Sequence, residues 1–174
     1  MTRKEFLNAV ANGKSDILQT LLDTIQKLNI QYCVIGGLAV NAFVEPVVSL
    51  DLDVVVADDV VQRLCNALQG SFRIERFPHS VYIASNESDL RIQLQTDPRY
   101  QAFIANAALR EVMGYRMRVA AIEDVLQGKV WAYSDKERRG SKRQKDLADI
   151  LRIVETVPDL IKHVPGSMRE LMEM

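Results

Sequence analysis

The run Tyr32-Cys-Val-Ile-Gly-Gly-Leu-Ala-Val-Asn-Ala-Phe-Val44 is followed, after Glu45 to Ser49, by Leu50-Asp-Leu-Asp-Val-Val-Val-Ala57. It reads as a buried strand, a glycine pair, a short helix, a loop and a second strand that opens with two carboxylates. Strand periodicity sets Asp51 and Asp53 on one face and Leu50, Leu52 and Val54 on the other. Like charges side by side on a strand repel, and neither is buried cheaply without a partner. A hard divalent cation between them would remove that cost. Taken alone, D-x-D on a strand also fits a polar outer face, and Gly36-Gly37 also fits a plain tight turn. At a strand-to-helix junction, though, backbone N–H groups can cradle a phosphate.

In this order, with about a dozen residues between the glycines and the carboxylates, the stretch resembles the nucleotidyltransferase-like superfamily (polymerase-beta-type fold). Within it the likeness is to the abortive-infection toxin type, the AbiEii-like nucleotidyltransferases. That pattern is G-G-x-A followed by R-x-T-x-D-x-D, and this chain supplies Gly36, Gly37 and Ala39, then Val47, Ser49, Asp51 and Asp53. Ser49 stands for the Thr and Val47 replaces the Arg. The resemblance implies an α+β fold, a mixed sheet flanked by helices with a C-terminal helical segment. It divides the chain into a core over 1–120 and a helical segment over 121–174 packed on it as one compact unit.

The chain has 174 residues, 48% of them hydrophobic and 26% charged, with a formal net charge of −1. That suits one well-buried domain and gives no global attraction to nucleic acid or to a membrane. Cys33 and Cys65 read as buried hydrophobes in a reducing compartment. No apolar run follows the charged start or approaches the length of a membrane span, so a cytoplasmic protein without a signal peptide is expected.

Ser15 is expected to cap a helix whose apolar stripe is Ile17, Leu18, Leu21, Leu22, Ile25 and Leu28. Asp58 or Asp59 caps another through Leu68, ending at Gly70. Strands are expected at Phe72 to Phe77, Val81 to Ala84 and Leu90 to Gln95, then from Val112 to Val119 around a turn at Gly114-Tyr115. Helices are expected over Ile122 to Tyr133 and Ser141 to Glu155, then a weaker segment broken by Pro158 and Pro165.

On the helix after Ser141, spacing puts Leu147, Ile150, Leu151 and Val154 toward the core. Lys142, Lys145, Asp146 and Asp149 form a second stripe, which spacing alone reads as a solvated face of i,i+4 ion pairs. The family resemblance implies more. Glu123, Asp124 and Lys129, then Arg138 and Arg139, then Lys145-Asp146-Leu147-Ala148-Asp149 are similar to that family's later motifs. By that likeness Lys129 and Lys145 neutralise triphosphate charge, and Asp146 orients a lysine or acts on the incoming hydroxyl. Asp149 joins Gly36, Gly37, Ser49 and Lys129 in nucleotide binding. The basic cluster Arg138, Arg139, Lys142 and Arg143 fits either a soluble helix connection or a contact with an RNA backbone. Trp131 reads as core packing.

The activity implied is transfer of an NMP from an NTP to an acceptor hydroxyl on RNA or tRNA, a protein or a small molecule. Mg²⁺ or Mn²⁺ would be held by Asp51 and Asp53. A toxin–antitoxin or phage-defence setting with a cognate antitoxin goes with the resemblance, and a membrane does not. Such sites add a third carboxylate from the strand Leu90 to Gln95, where this chain has Gln93. Asp97 is in phase only if the strand runs through Thr96, and Pro98 puts it at the rim. Arg91, also in phase, favours a phosphate or an internal carboxylate partner. The missing carboxylate leaves a second reading open: a weak or inactive module that binds nucleotide or a partner protein.

Overall fold

The computed structural model describes residues 1–172. In chain order the first elements are α1 (Arg3–Val10), α2 (Ile17–Lys27), β1 (Tyr32–Ile35), α3 (Gly36–Val40), β2 (Asp51–Val56) and α4 (Asp58–Leu68). A meander β3 (Arg73–Phe77), β4 (Ser80–Ser85) and β5 (Ser88–Gln95) follows. After a 3-10 turn at Pro98–Tyr100 come α5 (Phe103–Asn106), β6 (Ala108–Val112), β7 (Tyr115–Val119), α6 (Ile122–Ser134) and α7 (Gly140–Thr156). A second 3-10 turn, Pro158–His163, leads to α8 (Gly166–Met172).

The strands form a seven-stranded mixed sheet in the order β3-β4-β5-β2-β1-β7-β6. β2 pairs antiparallel with β1 and parallel with β5, and β1 pairs parallel with β7. The α+β architecture expected from the sequence is thus the one observed. Helices α2 and α4 pack together, α2 also touching β5, while α3 lies against β1, β2, α6 and α7. The core face carries Leu52, Val54, Ile83, Ile92 and Leu94, each at most 1% exposed. Strand alternation sends Asp51 and Asp53 the other way. Among the described residues no helix is long and apolar enough to cross a membrane.

Several local details differ from the sequence reading. Asp16, not Ser15, caps α2: its carboxylate accepts from Gln19 N–H at 3.1 Å. Ser15 instead turns its hydroxyl to the Glu87 carboxylate. At α4 both Asp58 and Asp59 lie in the first turn behind an Ala57 cap that makes no side-chain bond. The run expected over Val112 to Val119 is a hairpin, β6–β7, turned at Met113 and Gly114 with φ of 51° and 86°. Positive φ at both central residues matches the twist of the flanking strands. α1 was not expected at all; it is fastened by a Thr2–Glu5 capping box.

Candidate active site

Register determines which side chains meet. Ile35 on β1, Asp53 on β2, Gln93 on β5, Tyr82 on β4 and Glu75 on β3 form one transverse row. Asp51 and Arg91 are partners in the next row on the same face, two residues along. A cleft of about 250 Å³ lies over Asp51, Asp53, Tyr82, Arg91, Gln93, Arg138 and Lys142. A smaller pocket of about 110 Å³ adjoins it beneath α6, sharing Asp53, Gln93 and Arg138 and adding Gly36, Tyr100, Lys129 and Asp146.

Gly36 explains the glycine pair. Its φ is +74°, a backbone region costly for L side chains, and a Cβ there would overlap Asp53 Oδ2. Gly37 faces Ser49, whose Oγ would lie 3.5 Å from a Cβ. Ser49 is 5% exposed, and its hydroxyl accepts from Asp51 N–H at 3.4 Å, steadying the head of β2. The loop before it is clasped by Asn41, which donates to Val47 O at 2.7 Å and accepts from Val47 N at 3.0 Å. Gly36→Ala therefore costs about 1–2 kcal/mol of stability and pushes the Asp53 carboxylate aside. Chemical denaturation and Mn²⁺ titration check this; parent-like stability together with parent-like Mn²⁺ affinity would refute it.

The two carboxylates differ in environment. Asp53 is half-buried at the floor of the cleft, and burial pushes its carboxyl up to about 6 against the pull of Lys129. Burial also works to raise Asp51, but there the Lys142 hydrogen bond and charge prevail, with help from Arg91 and Lys145, and its pKa falls below the usual value. Both Asp51 oxygens carry a cation: Arg91 Nε lies 2.7 Å from Oδ1 and Lys142 Nζ 2.9 Å from Oδ2.

Asp146 and Asp149 correct the reading of α7 as a solvated ion-pair face. They are 1% and 4% exposed, whereas Lys145 is exposed and makes no ion pair among the described residues. Lys129 enters from α6 and sits between them, its Nζ 3.0 Å from Asp146 Oδ1 and 2.7 Å from Asp149 Oδ2. Arg138 holds the other oxygen of Asp146 at 2.7 Å, and Arg152 that of Asp149 at 2.8 Å. Burial opposes the charge on Lys129, but Asp149 and Asp146 outweigh it and its pKa is raised. With these two carboxylates turned inward, the buried apolar positions of α7 are Ile150 and Ile153, and Leu147, Leu151 and Val154 are only partly covered.

Of the four basic residues that fitted an RNA contact, three turn into the molecule. Arg138 meets Asp146 and Lys142 meets Asp51. Arg143 donates to Tyr133 O at 2.7 Å and lies over the Tyr133 ring. Arg139 is exposed. Asp97 is spent elsewhere: its carboxylate accepts from Arg99 N–H and takes the Arg99 guanidinium at 2.8 Å, and it lines neither part of the cleft. Trp131 stacks on Phe103 with centroids 5.7 Å apart, as expected for packing. Sequence reasoning did not put Lys142, Tyr82 or Tyr100 at the cleft. Lys142 stands one helical turn before Asp146, a signal that was present but read as solvent-facing.

The side chains that could hold one hard divalent cation are Asp51 and Asp53 on one strand, with Gln93 in the neighbouring register, once Asp51 is freed of its two ion pairs. Among the described residues no group of three or more His, Cys, Asp or Glu side chains converges on a metal position.

No protein-family model matches the chain, and no curated protein matches it in sequence. Solved structures do share its fold. The antibiotic-resistance factor ANT(2'')-Ia superposes with a TM-score of 0.65 at 13% identity, covering 88% of this chain and 89% of that one. The lincosamide antibiotic adenylyltransferase LnuA gives 0.57 at 12% identity, over 81% and 98%. An antigenic nucleotidyltransferase-like protein from Paracoccidioides brasiliensis gives 0.54 at 19% identity, over 86% and 75%. At these identities the likeness is one of fold alone.

Proposed function

We propose that this chain binds a nucleoside triphosphate with Mg²⁺ or Mn²⁺ and transfers its nucleoside monophosphate, slowly, to an acceptor hydroxyl, breaking the α–β phosphoanhydride bond and releasing pyrophosphate and the hydroxyl proton. The observation that carries this reading is the pair Asp51 and Asp53, set against Gly36 at the head of β2 in a fold shared with nucleotidyltransferases. Asp51 and Asp53 would hold the divalent cation beside the Gln93 oxygen. When bound, such an ion neutralises charge on the reacting phosphate and helps activate the attacking oxygen.

The chain's own residues supply the remainder. Arg91, Lys142 and Arg138 line the cleft and answer the charge of a triphosphate. Gly36 keeps the space beside Asp53 clear, and the buried network of Lys129, Asp146 and Asp149 fixes α6 against α7 behind the site. Gln93 occupies the register position beside Asp53, and because an amide takes no proton from an attacking hydroxyl, this position supplies no general base.

That same Gln93 favours a second reading, a nucleotide-binding module without useful turnover. Calorimetric titration with each NTP in Mg²⁺, followed by label transfer to bulk RNA, separates the two. The expected result is saturable Mg²⁺-dependent binding with slow transfer, and Gln93→Asp tightening Mg²⁺ affinity by about tenfold, since it adds a charged oxygen. Binding without transfer selects the module. Absence of NTP binding removes both readings.

A further inference from the structure

We infer that Lys142 and Arg91 are exchangeable counter-ions of Asp51, which leave its carboxylate for the phosphates of a nucleotide and so couple cation binding to nucleotide binding. The inference rests on the nucleotidyl-transfer reading of the cleft. Its basis is a direct conflict of partners. A divalent cation and the two side chains compete for the same two oxygens, Oδ1 held by Arg91 at 2.7 Å and Oδ2 held by Lys142 at 2.9 Å. One carboxylate already matched with two positive charges repels a third cation until at least one of them moves.

These two side chains are built to move. Arg91 is 61% exposed and Lys142 38% exposed, and each reaches Asp51 by a long flexible stem. Lys129 is the contrast: 8% exposed and held between two buried carboxylates, it has nowhere to go. Both mobile cations border the cleft that holds Asp53, so a triphosphate entering there offers them oxygens without a long displacement. Lys serves a phosphate as a point charge, and Arg as a two-pronged donor. Nucleotide thus draws the cations off Asp51, and Asp51 becomes available to the metal. The coupling is reciprocal: each ligand strengthens the other.

The consequence is a pair of opposite signs that a plain phosphate contact or a structural ion pair does not produce. In Lys142→Gln the affinity for Mn²⁺ alone, read by electron paramagnetic resonance, rises by about three- to tenfold because a half-exposed competitor is gone. The affinity of the same variant for a non-hydrolysable NTP in saturating Mg²⁺ falls by a similar factor. Arg91→Gln, on a different element, shows the same two signs and keeps the test open if the first variant does not fold. If Mn²⁺ affinity is unchanged or falls in a folded variant of either kind, the exchange is overturned. Loss of Mn²⁺ binding on replacing Asp51 and Asp53 with Asn, in that event, shows that the cleft reading stands while the exchange does not. A parent protein that binds neither Mn²⁺ nor NTP removes the cleft reading and the exchange with it.

Discussion

Replacing Asp51 and Asp53 together with Asn removes Mg²⁺-dependent NTP binding, by at least about a hundredfold, since even outer-shell partners of metal ligands cost up to that much. The fold survives, because the two positions contribute opposite terms to stability. Asp53 has its folded pKa raised from 3.8 to about 6 by burial. The folded protein therefore holds a proton there that the unfolded chain has released, and stability falls as pH rises through that window, by at most about 3 kcal/mol. Above pH 6 the full cost persists, and a neutral Asn removes it. Asp51 has its folded pKa lowered, so its contribution is present at neutral pH and lost in acid. At 29% side-chain exposure, losing its two ion pairs costs about 1 kcal/mol. Urea denaturation of parent and Asp53→Asn at pH 4.5 and pH 7 checks the sign. The single variant gains stability at pH 7 and shows a flatter pH dependence; parallel curves would mean that Asp53 is not desolvated. Parent-like Mg²⁺–NTP binding by the double variant would move the metal site elsewhere.

The sheet and the carboxylate pair were legible because alternation is a local property. Leu90, Ile92 and Leu94 announce their face without reference to any other strand, and so do Leu52 and Val54 around the two aspartates. Gly36 was legible as a glycine position, but its cause is a long-range one, the Asp53 carboxylate where a Cβ would be. The α7 stripe failed for the same reason. Lys142, Lys145, Asp146 and Asp149 at i, i+3, i+4 and i+7 fit an exposed ladder equally well as a buried network. What settles the matter is Lys129, thirteen residues before Lys142 on another helix, and Arg138 in the connecting loop. Charge burial depends on partners that helical spacing does not reveal. The likeness to a family's later motifs assigns Lys129, Asp146 and Asp149 to a nucleotide site and says nothing of their burial against one another.

Lys129→Met destabilises the domain by about 3–5 kcal/mol, the largest loss expected from a single substitution in the cleft wall. The figure follows from what remains. Asp146 and Asp149 stay buried, each still touching one guanidinium, Arg138 and Arg152, but the ammonium shared between them is gone. Arg138 is 38% exposed and Arg152 23%, so their compensation is partly spent on solvent. Methionine fills the volume of the lysine stem, which separates lost charge from lost packing. Because the cost is an uncompensated charge, removing a carboxylate as well returns stability: Lys129→Met with Asp149→Asn recovers roughly half of the loss. A double-mutant cycle by urea denaturation measures the coupling directly. Additive losses would mean that Lys129 and Asp149 are not energetic partners. The Lys129 charge would then be answered by Asp146 alone, 3.0 Å away between α6 and α7.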